Sequence, residues 1–210
     1  MSISNFPKKT IHLIFILLSI LFLDSCGSDD AIIPPMPPEI TEISNAEGEL
    51  VEQGVIGETY NIHGLNFNNV TSITFNGYEI NLNEVVINNE LIQVVIPENT
   101  PYLDQDNTIV VTTNDGSFSI DFSLLTIENI TTETIDGYNV VYINGGDFAS
   151  LEEVIIDPSS TEENDEINAV IFEFDSSKIT ISRPEGISQA MIIVKTSLGA
   201  IVSYGPYSFD

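Results

Sequence analysis

The residues able to do chemistry are few and unevenly spread. The chain has one thiol, Cys26, two imidazoles, His12 and His63, no tryptophan, and 32 acidic against 5 basic side chains in 210 residues, a formal charge of −27. No Cys/His cluster has the spacing of a zinc site. His63 sits inside the run Tyr60-Asn61-Ile62-His63, where a structural role is the plainer one. A carboxylate pair can hydrolyse glycosides only across a cleft, and short strands with tight turns offer none, so catalysis is not expected. Hard cations take carboxylate and carbonyl oxygens. Two stretches are dense in such oxygen: residues 104–107, with Asp104 and Asp106, and residues 157–166, with Asp157, Glu162, Glu163, Asp165 and Glu166. Neither follows a calcium-loop spacing, so no cofactor is required; calcium stays open beside the simpler account of solvated acidic loops. Rings that stack on sugars are the remaining chemistry. Tyr78, next to Asn76-Gly77, and Tyr102, among residues 97–104, are the aromatics expected to be exposed. With Asp104 and Asp106 they form the candidate ligand-binding set, packing against their own loops being the alternative.

The positioning elements begin with an address. Lys8 and Lys9 precede an apolar segment over residues 11–23, and Ser25 precedes Cys26, the three parts of a secretory signal. A membrane-spanning helix needs about 20 apolar residues, so this segment is too short to act as an anchor. Leu23-Asp24-Ser25-Cys26 resembles the lipobox of bacterial lipoproteins, with Asp24 where the family usually has a small or apolar residue. That resemblance implies a signal peptide over 1–25 and a diacylglyceryl thioether on Cys26. Gly27-Ser28-Asp29-Asp30 resembles the acidic signal that sends Bacteroidetes-type lipoproteins to the outer face of the outer membrane; a solvated linker is the alternative. The resemblance implies a lipid-anchored protein facing the cell exterior. No Lys or Arg lies between Lys9 and Lys178, so the surface repels phosphate backbones and no nucleic acid is expected as a partner. Anionic lipid is disfavoured for the same reason, leaving the lipid on Cys26 as the contact with the membrane.

Pro34, Pro35, Pro37 and Pro38 then favour an extended polyproline segment, and residues 26–37 are expected to act as a stiff spacer. From Ile40 onward, short β-rich runs alternate with Gly, Asn, Asp and Pro every eight to twelve residues, which predicts an all-β sandwich. Phe118, Ile120, Phe122 and Leu124 share one face of a strand, Ile179 and Ile181 one face of another, and Asn76-Gly77 has the chemistry of a two-residue hairpin turn. The pattern occurs twice. Residues 60–67, 91–98 and 108–116 are echoed in the same order by 141–148, 178–185 and 191–199, with Gly64, Phe67, Gly145 and Phe148 at matching places. Two copies of one unit are therefore expected, over 38–125 and 126–210, joined near Thr126 and folding separately, with Phe67 and Phe148 in their cores.

A strand ending in Gly-x-Asn-Phe, a strand ending in Pro and a Val-rich hairpin with a central Gly resemble the IPT/TIG domain, an early-set immunoglobulin-like fold. The second copy departs from the pattern at Asp147 and in its longer loop at 157–166. The resemblance implies a non-catalytic binding or scaffolding module, such as an accessory to polysaccharide capture and uptake. A protein–protein assembly or adhesion module is the alternative, and a glycan-active enzyme is a third reading. Partners are accordingly the membrane, through lipid, and a glycan or a protein. Recognition is expected at loop ends rather than on a sheet face, with a neutral glycan or a basic protein patch favoured over a polyanion by the charge.

Overall fold

A computed structural model describes residues 35–102, 105–158 and 165–209; Cys26, Ser28, Asp29, Asp30, Asp104, Glu162 and Glu163 lie outside the described residues. The first half contributes β1 (Glu39–Asn45), β2 (Gln53–Val55), β3 (Thr59–Leu65), β4 (Val70–Phe75), β5 (Tyr78–Glu79), β6 (Val86–Ile87), β7 (Leu91–Val95), β8 (Thr108–Thr113) and β9 (Gly116–Asp121). The second contributes β10 (Ser123–Ile135), β11 (Tyr138–Gly146), β12 (Leu151–Asp157), β13 (Ile167–Asn168), β14 (Ile171–Phe174), β15 (Lys178–Ser182), β16 (Gln189–Thr196) and β17 (Ile201–Ser208).

Sheets β1-β3-β7-β6 and β5-β4-β8-β9 make the first sandwich, and β14-β15-β11-β10 with β13-β12-β16-β17 make the second. The dry faces are those the alternation predicts. Ile62, Ile73, Ile92, Ile109, Phe67, Phe75 and Phe122 fill the first core; Val141, Ile143, Phe148, Ile156, Ile179, Ile181 and Ile192 fill the second. Each such side chain contributes about 1.5–3 kcal/mol by leaving water. Phe122 meets Tyr60 and Phe75 edge-on, at centroid distances of 5.7 and 6.4 Å. The Tyr60 hydroxyl accepts the Val55 N–H at 2.8 Å, and burial pushes its pKa up to about 12.

The repeat extends to single registers. β1 and β3 pair Ile40 with Gly64, skip one residue at a bulge, and resume at Glu42 with His63; β10 and β11 pair Ile127 with Gly145, bulge, and resume at Asn129 with Asn144. The glycine is required by close approach. A Cβ on Gly64 would run into the Glu39 carbonyl oxygen and the Phe67 ring, and one on Gly145 into the Thr126 carbonyl oxygen and the Phe148 ring. Two residues on, Asn66 (φ 61°) and Asp147 (φ 60°) both take the left-handed conformation, which Asn and Asp tolerate better than other side chains. The Asp for Asn departure is therefore conservative at the backbone.

Two features differ from expectation. Pro38 is buried, and Pro37 lies against the first sandwich, its carbonyl accepting the Asn66 amide at 3.1 Å, so the end of the proline-rich stretch is docked rather than free. The junction near Thr126 is a continuous strand. The first three residues of β10 pair in parallel with β2 (Ser123 with Gln53, Leu124 with Gly54, Leu125 with Val55), and the rest pairs with β11. Side chains alternate sides along a strand, so Leu124 enters the first core and Leu125 the second, where Val55 joins it. Gln53 is fully buried at this seam. Its amide donates to the Asp147 carbonyl and carboxylate at 2.9 and 3.0 Å and its oxygen accepts the Ser150 hydroxyl at 3.3 Å, while the Glu52 N–H donates to the Leu198 carbonyl.

Candidate functional site

Asn76 (φ 49°) and Gly77 (φ 77°) form the expected hairpin turn, closed by the Phe75–Tyr78 pair. The tyrosines singled out in this region are less available than expected. The buried Asn76 side chain donates to the Pro101 carbonyl at 2.8 Å and accepts the Thr108 N–H at 2.9 Å, clamping both ends of the loop that carries Tyr102. Tyr78 and Tyr102 are half-buried and pack against the first core. Burial, with the Glu128 carboxylate second, holds the Tyr102 hydroxyl above the usual tyrosine range. Asp106 is exposed. In the second sandwich Asp157 is half-buried at the end of β12, and Asp165 and Glu166 precede β13. Among the described residues no group of three His, Cys, Asp or Glu side chains converges as a metal site. His63 is half-buried, its Nε2 3.3 Å from the Ser44 hydroxyl.

The exposed rings lie elsewhere. Asp136 (φ 50°) and Gly137 (φ 86°) make a second two-residue turn, between β10 and β11, closed by the Ile135–Tyr138 pair. This is the Asp-Gly signal of a hairpin whose turn twist matches that of its strands, and it projects Tyr138 with 73% of its surface in solvent. β14 bulges between Ile171 and Glu173, turning out Phe172, which is 56% exposed. Both rings border a groove of about 590 Å³ whose other walls are Asn139 and residues 182–188. That volume is within the range of small-ligand sites, about 300–1,000 Å³. The groove is pinned from behind: the Arg183 N–H donates to the Asn139 carbonyl at 3.0 Å, the Ser182 N–H to the Val170 carbonyl at 2.9 Å, and the Asn139 side chain accepts the Thr134 hydroxyl at 2.6 Å.

Beside the groove, on the outer face of the same sheet, Lys178 lies 5.1 Å over the Tyr142 ring. Burial, then the carboxylates of Glu133 and Glu173, raise the Tyr142 hydroxyl pKa. A larger crevice, about 1070 Å³, runs along the seam and is lined by Glu42, Glu52, Asp106 and Asp121. Its single ring, Phe122, is spent in the first core. Volume favours the seam, but the chemistry of a sugar site, ring faces beside hydrogen-bonding groups, favours the smaller groove. Tyr138 and Phe172 were legible only in part: Asp136-Gly137 marks the hairpin, whereas nothing local announces the bulge in β14.

Residues 38–124 match the IPT/TIG domain model. The first sandwich is similar to an IPT/TIG domain over its full length. The second repeats the frame of the first at the bulge, glycine and buried phenylalanine described above. No curated protein matches the chain in sequence. Among solved structures the chain is similar to the surface glycan-binding protein PbSGBP-B from Prevotella bryantii, at 19% identity and a TM-score of 0.37 over 82% of this chain and 42% of that one. It is also similar to an SGBP-B from a xyloglucan utilization locus in Bacteroides uniformis (13%, TM-score 0.34, 83% and 49%) and to an I-band fragment of titin (14%, TM-score 0.31, 80% and 64%). The chain spans less than half the length of these glycan-binding structures. At such scores the likeness assigns no ligand.

Proposed function

We propose that the chain is a non-catalytic binding module of the cell surface, carried on a lipid at Cys26, and that the groove between Tyr138 and Phe172 takes a glycan. The observation that carries the reading is the pair of solvent-exposed rings flanking a pinned groove. Large apolar rings left in water are costly unless something covers them, and a sugar ring offers both an apolar face to stack and hydroxyls for Asn139, Ser182 and Ser188. The glycan-binding proteins to which the chain is similar set which ligands to try first. Protein assembly is the second reading. It is favoured by the exposed Val170, Phe172 and Phe174 on and beside edge strand β14, where another chain has backbone groups to pair with.

Gel retardation by a polysaccharide panel tests the glycan reading. The parent is expected to be retarded by at least one polysaccharide, and Tyr138→Ala with Phe172→Ala to bind about tenfold more weakly, worth about 1.4 kcal/mol. Its melting temperature should hardly move, since surface substitutions cost about 0.5 kcal/mol or less. No retardation across the panel, or a double variant that binds like the parent, overturns the assignment. A fatty-acid label that enters the parent and not Cys26→Ala checks the anchor.

A further inference from the structure

Three basic residues lie beyond Lys9, and two of them are occupied. Lys195 Nζ is 2.8 Å from the Glu153 carboxylate. Lys178 covers Tyr142, and its charge adds to the Ser177 hydrogen bonds that hold the Asp175 carboxyl below the usual range. Arg183 is the exception: among the described residues it makes no ion pair. In a chain with 32 acidic residues, a carboxylate partner is never scarce. Arg183 is nevertheless half-buried in the wall of the Tyr138–Phe172 groove, its backbone held at both ends by the Asn139 carbonyl and the Ser182 hydroxyl.

We propose that Arg183 reads a carboxylate on the bound glycan, so that the ligand class is an otherwise neutral glycan bearing an isolated acidic sugar, such as a uronic-acid branch. The proposal rests on the glycan reading above. A guanidinium presents a planar fork that matches a carboxylate with two parallel hydrogen bonds, which an ammonium cannot do. The rings on either side supply stacking for the neutral sugars. The same surroundings limit the number of acids. Glu185 lines the groove, and Glu133 and Glu173 lie on the adjoining sheet face. Screening at physiological salt acts over about 8 Å, so one carboxylate in contact with Arg183 gains its full pairing while neighbouring carboxylates of a polyuronate meet like charge.

The test compares acidic heteroglycans (glucuronoxylan, gum arabic and xanthan) with the same polymers after reduction of their carboxyl groups to alcohols, and with polygalacturonate. The parent is expected to bind at least one native heteroglycan at least tenfold more tightly than its reduced form and to ignore polygalacturonate. Arg183→Gln should abolish that preference, so that native and reduced polymers bind alike, and Arg183→Lys should recover only part of it. Equal affinity for native and reduced polymers, or a preference that survives Arg183→Gln, overturns the inference and leaves the glycan reading standing. If nothing in the set binds, acidic or neutral, both fall together.

Discussion

The two sandwiches share a frame down to the bulge and differ in what they show to water. In the first, the outer face of β1-β3-β7 is closed by its own side chains: the Asn61 amide donates to the Asn45 carbonyl at 3.2 Å, Gln93 donates to Asn61 at 3.1 Å, and His63 meets Ser44. In the second, Tyr142 stands at the register of Asn61 and Thr180 at that of Gln93, while Tyr138 and Phe172 extend beyond them into solvent. Inward positions are held by the core, so outward positions on the same strands are free to carry chemistry. The first copy closes this face with amides and an imidazole; the second closes it by laying Lys178 over Tyr142 and pairing Asn144 with Asn129 and Thr180 with Glu173, and leaves the rim rings Tyr138 and Phe172 in water.

The largest expected effect tests the sameness. Gly64→Ala and Gly145→Ala should each destabilise by about 3 kcal/mol, the upper end for forcing atoms into a packed site, because the added methyl meets a backbone oxygen rather than a flexible side chain. Chemical denaturation giving similar losses for both sharpens the comparison, and a large loss at only one breaks it. Next is the seam. Gln53→Ala removes a buried amide and leaves polar groups of Asp147 and Ser150 unpaired, a cost of about 1–3 kcal/mol. Two thermal transitions in place of one is the expected calorimetric result; a single sharp transition at unchanged temperature would mean that Gln53 does not couple the sandwiches.

A smaller effect separates the copies by pH. Tyr60, in the first, has a folded pKa raised from about 10 to about 12. Its contribution is fully present below pH 10 and is lost as pH rises through 12. Asp175, in the second, accepts the Ser177 N–H, the Ser177 hydroxyl and the Lys178 N–H, which lower its pKa. Its contribution is present above the ordinary carboxylate range and disappears as pH falls through the lowered value. Asn88 makes the corresponding turn in the first copy with an amide that does not titrate, accepting from the Glu90 and Leu91 N–H groups. Acid should therefore loosen the second sandwich before the first. Amide exchange of the 88–91 and 175–178 turns at low pH reads this, and equal protection in both would refute it.

Much of this was legible because it is local. Gly64 and Gly145, Phe67 and Phe148, and the turn at Asn76-Gly77 each announce themselves within a few residues, and period two sorted Ile179 and Ile181 inward. What was missed depends on distant partners. Tyr102 looks exposed until Asn76, 26 residues away, clamps its loop. β2 is three residues of Gln, Gly and Val with no alternation to read, and only its partner β10 makes it a strand. The proline-rich end reads as a free spacer because Asn66, which holds it, is far along the chain. Tyr138 follows a local turn signal, Asp136-Gly137, whereas the unusual loop composition lies elsewhere, at 97–107 and 157–166.

The parallel pairing of β2 with the start of β10 has a mechanical consequence. If the chain is held on its N-terminal side and loaded through a ligand on the second sandwich, as proposed above, tension pulls β2 towards one end and β10 towards the other. Parallel neighbours drawn apart along their length slide past one another, so the bonds at Gln53, Gly54 and Val55 share the load together. An antiparallel hairpin opened from its ends gives up its bonds one at a time. The seam is thus placed to behave as a rivet under drag.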